Sequence, residues 1–280
     1  MLRNLSAYFG LLRPVNCLIV FGSVFVAAFI AGISGSLLTV LVAALSAALI
    51  AGGANGVNDF FDAPIDRLNK PWRPIPSGRL GKREAFIWST CILVLGVAAA
   101  GIAGKWLLSI SLGGAIAVFL YSLRLKRTAF WGNFTVSLLC GLVFVYGGVC
   151  VGKPKATLIP ASLAFLFHLG REIIKDAEDC QADASAGAST APVRFGLKTA
   201  LKTATAVYLV LLVVLFLPWL FGIYHQLYLL VVCVGIIPVI CYVIWSIWRD
   251  NSSRNLGRLS SILKLDMLVG LLAILLGSKF

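Results

Sequence analysis

At 280 residues, 60% of them hydrophobic and 12% charged, with a mean hydropathy of +0.96, the chain lies far outside the composition of a water-soluble domain. It reads as a polytopic membrane protein. A net charge of +13 would suit a nucleic-acid partner, but here the basic residues follow the orientation rule of membrane proteins, helped by anionic headgroups, and nucleic acid is set aside.

Apolar runs of about 20 residues suffice to cross roughly 30 Å of hydrocarbon. Nine occur, at 14–33, 36–57, 84–103, 106–124, 132–152, 156–176, 199–220, 226–247 and 260–278. All nine are expected to be helices, because lipid offers backbone groups no partner and no alternating short strands of a barrel are present. The first run lacks a cleavage signature and is expected to be retained. With no long soluble segment, residues 1–280 are expected to form a single all-α membrane domain, a bundle of nine helices around a central cavity. Twenty of the 24 basic residues fall on one side if the N-terminus is cytoplasmic: Arg3 and Arg13, the 59–83 loop, the 124–127 turn, the 171–202 region and the 249–264 loop. Lys105, Lys153, Lys155 and Lys279 remain outside. The seven cysteines show no CxxC pairing and six lie in predicted spans, which argues against a disulfide framework or a zinc site.

Two acidic triplets stand out. Asp59, Asp62 and Asp66 and, 117 residues later, Asp176, Asp179 and Asp183 share steps of three then four and hold six of the chain's eleven carboxylates. On a helix each triplet would occupy an arc of roughly 60°, a repulsive stripe that a bound cation would relieve. Each falls at the cytoplasmic end of a span and is followed by a loop rich in Pro and Gly, a weak internal repeat that would set the clusters facing across a cavity. Hard oxygens in two opposed groups suit Mg²⁺, which is held by one or two carboxylates together with substrate phosphates. The candidate ligands are Asn58, Asp59, Asp62, Asp66, Asp176, Asp179 and Asp183, with Asp62, Asp66, Asp179 and Asp183 as the catalytic set. Pro64 is expected to open the last turn of the second span into a loop.

Cations are interleaved where a leaving diphosphate would need them: Arg67, Lys70 and Arg73 after the first triplet, Lys126 and Arg127 at the end of the fourth span, Arg171 and Lys175 before the second triplet, and Arg13 at the start of the first span. Each could equally be an orientation charge or a partner of a nearby Asp. Tyr121 could face a developing carbocation or belong to an interfacial belt. His168 lies on the cluster-facing side of the sixth span. No GxSxG, HExxH, P-loop or Rossmann element occurs in a suitable context. Two other classes stay open: a cation-coupled transporter, whose acids belong near the bilayer midplane, and a non-catalytic scaffold, which would tolerate Asn at all six aspartates.

Asn58-xxx-Asp62-xxx-Asp66 and Asp176-xx-Asp179-xxx-Asp183 in a nine-span, basic-inside chain resemble the UbiA superfamily of intramembrane prenyltransferases over the whole length. The resemblance implies Mg²⁺-dependent transfer of an isoprenoid from a polyprenyl diphosphate to an acceptor near the membrane surface, with the prenyl tail in an apolar tunnel open to lipid. The strings Asp66-Arg-Leu-Asn-Lys-Pro-Trp-Arg-Pro-Ile-Pro-Ser-Gly78 and Arg171-Glu-Ile-Ile-Lys-Asp-Ala-Glu-Asp179 are most similar to the archaeal-type digeranylgeranylglyceryl phosphate synthases. These imply geranylgeranyl diphosphate as donor and geranylgeranylglyceryl phosphate, a lipid, as acceptor, in ether-lipid synthesis at the cell membrane. Arg73-Pro-Ile-Pro-Ser-Gly78 is also similar to chlorophyll synthases, so a tetrapyrrole or aromatic quinone precursor is the alternative acceptor. Ala182 and Cys180-Gln181 depart from the pattern of those relatives. The expected chemistry has two Mg²⁺ ions between the clusters and the diphosphate, with the loops after Asp66 and Asp183 closing over the site.

Overall fold

The computed structural model describes residues 2–33 and 36–278, without the side chains of residues 2–4, 68 and 69. Lys279 and the side chain of Arg3, which entered the charge count, lie outside the described residues. In chain order the helices are α1 (Leu2–Leu12), α2 (Pro14–Ile30), α3 (Leu37–Asn69), α4 (Lys82–Ala103), α5 (Lys105–Leu123), α6 (Trp131–Cys150), α7 (Leu158–Glu178), α8 (Cys180–Ser185), α9 (Ala191–Phe195), α10 (Leu197–Val214), α11 (Leu217–Leu220), α12 (Gln226–Val231), α13 (Ile237–Arg249) and α14 (Ser253–Gly277). Eight stretches among the described residues are long and apolar enough to span a membrane, and the bent pair α1 and α2 makes a ninth. The protein is an integral membrane protein of helices, each covering a run read from hydropathy.

Breaks in the helices trace to single residues. Pro14 disfavours helical geometry at the residue before it, and Arg13 takes a left-handed conformation with φ 54°, so α1 and α2 meet at 46°. Pro238 lacks the amide that would continue the α-helical ladder, and a π turn at Val232–Ile236 joins α12 to α13. Pro64 behaves differently from the sequence expectation. α3 does not open there but runs on to Asn69, because ion pairs clamp it on both sides of the proline.

Packing sets α3 against α4 more closely than side chains would permit. A Cβ placed on Gly53 would sit 2.7 Å from the backbone nitrogen of Leu93, and one on Gly96 would sit 2.9 Å from that of Ile50. Glycines of α3 and α4 therefore serve close helix contact. A larger apolar core joins α6, α7, α10, α12, α13 and α14 through residues such as Ile173, Ile174, Tyr208, Ile240 and Leu263. α1, a helix that precedes the first apolar run and was not read from hydropathy, buries Ala7 and Leu11 against Leu80 and Ala85. It thus supports the loop that follows α3. At the other end of the chain, the 249–264 segment is not a loop: α14 begins at Ser253, so Arg254, Arg258 and Lys264 are helical.

Candidate active site

Asp59, Asp62 and Asp66 lie on the unbroken last turns of α3, along one side as their spacing predicts. Asp59 and Asp66 are only 3% and 4% exposed. The loop after α3 folds back on itself, with the Leu80 amide donating to Pro74 O at 3.1 Å and Arg79 Nη2 to Trp72 O at 2.6 Å. That fold returns Arg73 to the helix it left. Its Nη1 lies 3.1 Å from Asp59 Oδ1 and 2.6 Å from Asp66 Oδ2, one guanidinium spanning two helical turns across Pro64. Arg13 also pairs with Asp59, delivered there by the bend at Pro14. Lys126 pairs with Asp62, whose other oxygen accepts from Asn58 Nδ2 at 2.7 Å. The Leu125–Arg127 turn can hold Lys126 there because Gly132 lets it lie flat on α6: a Cβ on Gly132 would be 2.9 Å from Leu125 O.

The second triplet is built otherwise. α7 ends at Glu178 and α8 starts at Cys180, so Asp179 sits at a junction and the three carboxylates do not share one helical stripe. Asp176 accepts from Asn133 Nδ2 of α6 at 2.9 Å. Asp183 accepts from the Thr190 hydroxyl at 3.0 Å, within a loop tied to the α5–α6 turn by the Ser189 amide donating to Arg127 O at 2.8 Å. Removal from water outweighs that hydrogen bond, and with the nearby charges of Asp179 and Asp62 it pushes the Asp183 carboxyl up to about 6.

The two clusters face one another. Lys70, just past the end of α3, places Nζ 3.2 Å from Asp179 Oδ2. Tyr121 lies close enough to feel the carboxylates of Asp62, Asp176 and Glu172. Both clusters stand at one end of the bundle rather than at its middle, unlike the binding sites of transporters. Among the described residues no three His, Cys, Asp or Glu side chains converge to cage an ion. Mg²⁺ does not require such a cage when phosphate oxygens supply the remaining positions. The donors present are hard oxygens, and the buried Oδ1 of Asn133 beside Asp176 has no hydrogen-bond partner. These residues fit Mg²⁺.

Of the cations expected around the site, Arg13, Lys70, Arg73 and Lys126 are drawn to its carboxylates. Arg171 and Lys175 instead flank Glu172, at 2.7 Å and 3.5 Å. Arg67 is exposed and makes no ion pair among the described residues. Three participants were not read from the sequence. Asn133 and Thr190 reach the second triplet from distant segments with no spacing to betray them, whereas Glu172, buried one turn before Asp176, had a signal in its i, i+4 relation.

Comparison with known proteins identifies the family. The family model described as the UbiA prenyltransferase family matches residues 18–265. A protein named digeranylgeranylglyceryl phosphate synthase from Methanopyrus kandleri is 36% identical over 272 residues, 97% of this chain and 98% of its own length. A solved structure described as giving structural and mechanistic insights into digeranylgeranylglyceryl phosphate synthase in membranes superposes with a TM-score of 0.76 at 29% identity, covering 98% of both chains. The structure of a UbiA homolog from Archaeoglobus fulgidus bound to GPP and Mg²⁺ shares the fold, with a TM-score of 0.66 at 22% identity over 96% of this chain and 99% of that one. This chain belongs to the UbiA prenyltransferase family.

Proposed function

We propose that residues 1–280 work as one prenyltransferase domain that joins a geranylgeranyl group from geranylgeranyl diphosphate to the free hydroxyl of geranylgeranylglyceryl phosphate. The observation that carries the reading is the pair of acidic clusters drawn together by Lys70 and Asp179 at 3.2 Å, with Tyr121 near carboxylates of both. The acceptor follows the names of the relatives at full length.

Asn58, Asp59, Asp62 and Asp66 on one side and Asp176, Asp179 and Asp183 on the other would hold the metal. Two Mg²⁺ ions, when bound, would neutralise the diphosphate and make it a good leaving group. Lys70, Arg73 and Lys126 exchange their carboxylate partners for diphosphate oxygens, and so meet the charge that grows there as the C1–O bond loosens. The acceptor oxygen then attacks C1, its proton passing to the released diphosphate. Tyr121 turns its ring toward the allylic carbon. The loops carrying Arg73 and Thr190 exclude the water that would quench it. The basic-inside pattern orients the N-terminus to the cytoplasm and the site to the inner face of the cell membrane.

Purified protein in detergent, given radiolabelled geranylgeranyl diphosphate and Mg²⁺, is expected to make a new lipid with geranylgeranylglyceryl phosphate and none with chlorophyllide or an aromatic acid. Product with a tetrapyrrole or aromatic acceptor alone would overturn the acceptor, and no product with any acceptor would overturn the enzyme.

A further inference from the structure

Lys264 is one of the cations that the scheme above leaves unused. It lies 11 residues into α14, roughly 16 Å along the axis from the start of the helix. It is half-buried and makes no ion pair or hydrogen bond among the described residues. Its charged neighbours are cations: the guanidiniums of Arg171 and Arg13. The geometry of three helices brings them together. Arg171 Nε of α7 donates to the backbone oxygen of Ser260 at 3.2 Å, one turn from Lys264 on the same side of α14. α2 runs parallel to α14, and a Cβ on Gly22 would be 3.8 Å from Leu271. Counting back nine residues to Arg13 and seven to Lys264 leaves the two at the same level to within about one turn.

The nearby acids do not balance the group. Asp59 is shared between Arg13 and Arg73, and Glu172 between Arg171 and Lys175, while Asp266, two residues on in α14, is buried against the cavity and makes no ion pair among the described residues. An ammonium beside two guanidiniums inside an apolar bundle is repulsive unless an anion joins them. Directly below, a largely apolar cavity opens between α2, α6, α7 and α14, lined by Ile19, Phe144, Leu163, Phe167 and Leu271, with Ser23, His168 and Asp266 as its polar wall. An anion site above a largely apolar cavity has the shape of a single amphiphile.

We propose that Arg13, Arg171 and Lys264 form a second anion site, separate from the diphosphate cations, which binds the phosphate monoester of the lipid acceptor while the acceptor's hydrocarbon chain enters the cavity beneath. The proposal rests on the lipid-phosphate reading of the acceptor and names the residues that would recognise it. Two guanidinium forks and one ammonium match a phosphate dianion, whose three free oxygens accept charge-assisted bonds. Lys70, Arg73 and Lys126 stay with the donor, on the α3 side of the site.

The test compares geranylgeranylglyceryl phosphate with its dephosphorylated alcohol, by calorimetric titration of the full-length protein in detergent and by steady-state kinetics with geranylgeranyl diphosphate. Wild type is expected to bind the phosphate form about tenfold or more tighter, with Lys264→Gln removing the difference and Lys264→Arg restoring it. In kinetics, Lys264→Gln raises the acceptor KM by the same factor, while the donor KM stays put. Lys264→Gln that still discriminates between the two acceptors, or that raises both KM values together, overturns the site. Inorganic phosphate binding as tightly as the lipid overturns the lipid as occupant. Tight, Lys264-dependent binding of the phosphate lipid without any product supports the site and defeats the acceptor assignment instead.

Discussion

The two aspartate triplets have the same spacing and different foundations. The first rests on one continuous helix and is covered by full charges: Arg13, Arg73 and Lys126 together contact all three of its carboxylates. The second straddles the junction between α7 and α8, and two of its carboxylates accept from neutral groups, the Asn133 amide and the Thr190 hydroxyl, with Lys70 alone as a cation. Identical spacing therefore does not mean identical geometry. A cluster covered by cations resists an added metal until a diphosphate draws those cations away, whereas a cluster with neutral partners keeps its charge available. On this view the second triplet is the first to meet Mg²⁺, and the first engages only with the donor.

The heaviest blow to this contrast would come from Asp62→Ala and Asp179→Ala. Each is expected to lower turnover on the order of a thousandfold, since each removes leaving-group stabilisation; wild-type turnover in either variant would end the scheme. Next, Asn133→Ala is expected to weaken Mg²⁺ binding about ten- to a hundredfold, as loss of an outer partner of a ligand does, while Asn58→Ala has less effect without donor. Titrating Mg²⁺ into both variants checks the order. The third concerns acidity. Because the Asp183 carboxyl is raised to about 6, it is ionised above that pH and neutral below it, so thermal stabilisation by Mg²⁺ should fade as pH drops through about 6. Stabilisation unchanged between pH 7 and pH 5 would separate Asp183 from the metal. The smallest effect is expected of Lys70→Gln. Its bridge to Asp179 is partly exposed, worth about 1 kcal/mol or less, so stability barely moves, whereas the donor KM rises because Lys70 is reassigned to the diphosphate.

Hydropathy made all nine spans legible, because the requirement to satisfy the backbone in lipid leaves one solution for a long apolar run. Pro64 was misread, since its local penalty is outweighed by Arg73 returning from outside the helix. The cations near the triplets were legible as candidates but not as pairs. Arg13 reaches Asp59 across 46 residues and Lys126 reaches Asp62 across 64. Asn133 left no local signal at all, and Lys264 was read only as an orientation charge.

By itself the sequence determined the class of molecule, a helical membrane protein with two acidic clusters of one spacing, because hydrophobic length and carboxylate periodicity are properties of short segments. Tertiary structure alone decided which carboxylate meets which cation, that the second cluster straddles a helix break at Asp179, and that Lys264 stands among guanidiniums beside a largely apolar cavity. Those are relations between helices distant in the chain, set by how the helices pack, and no segment carries them alone.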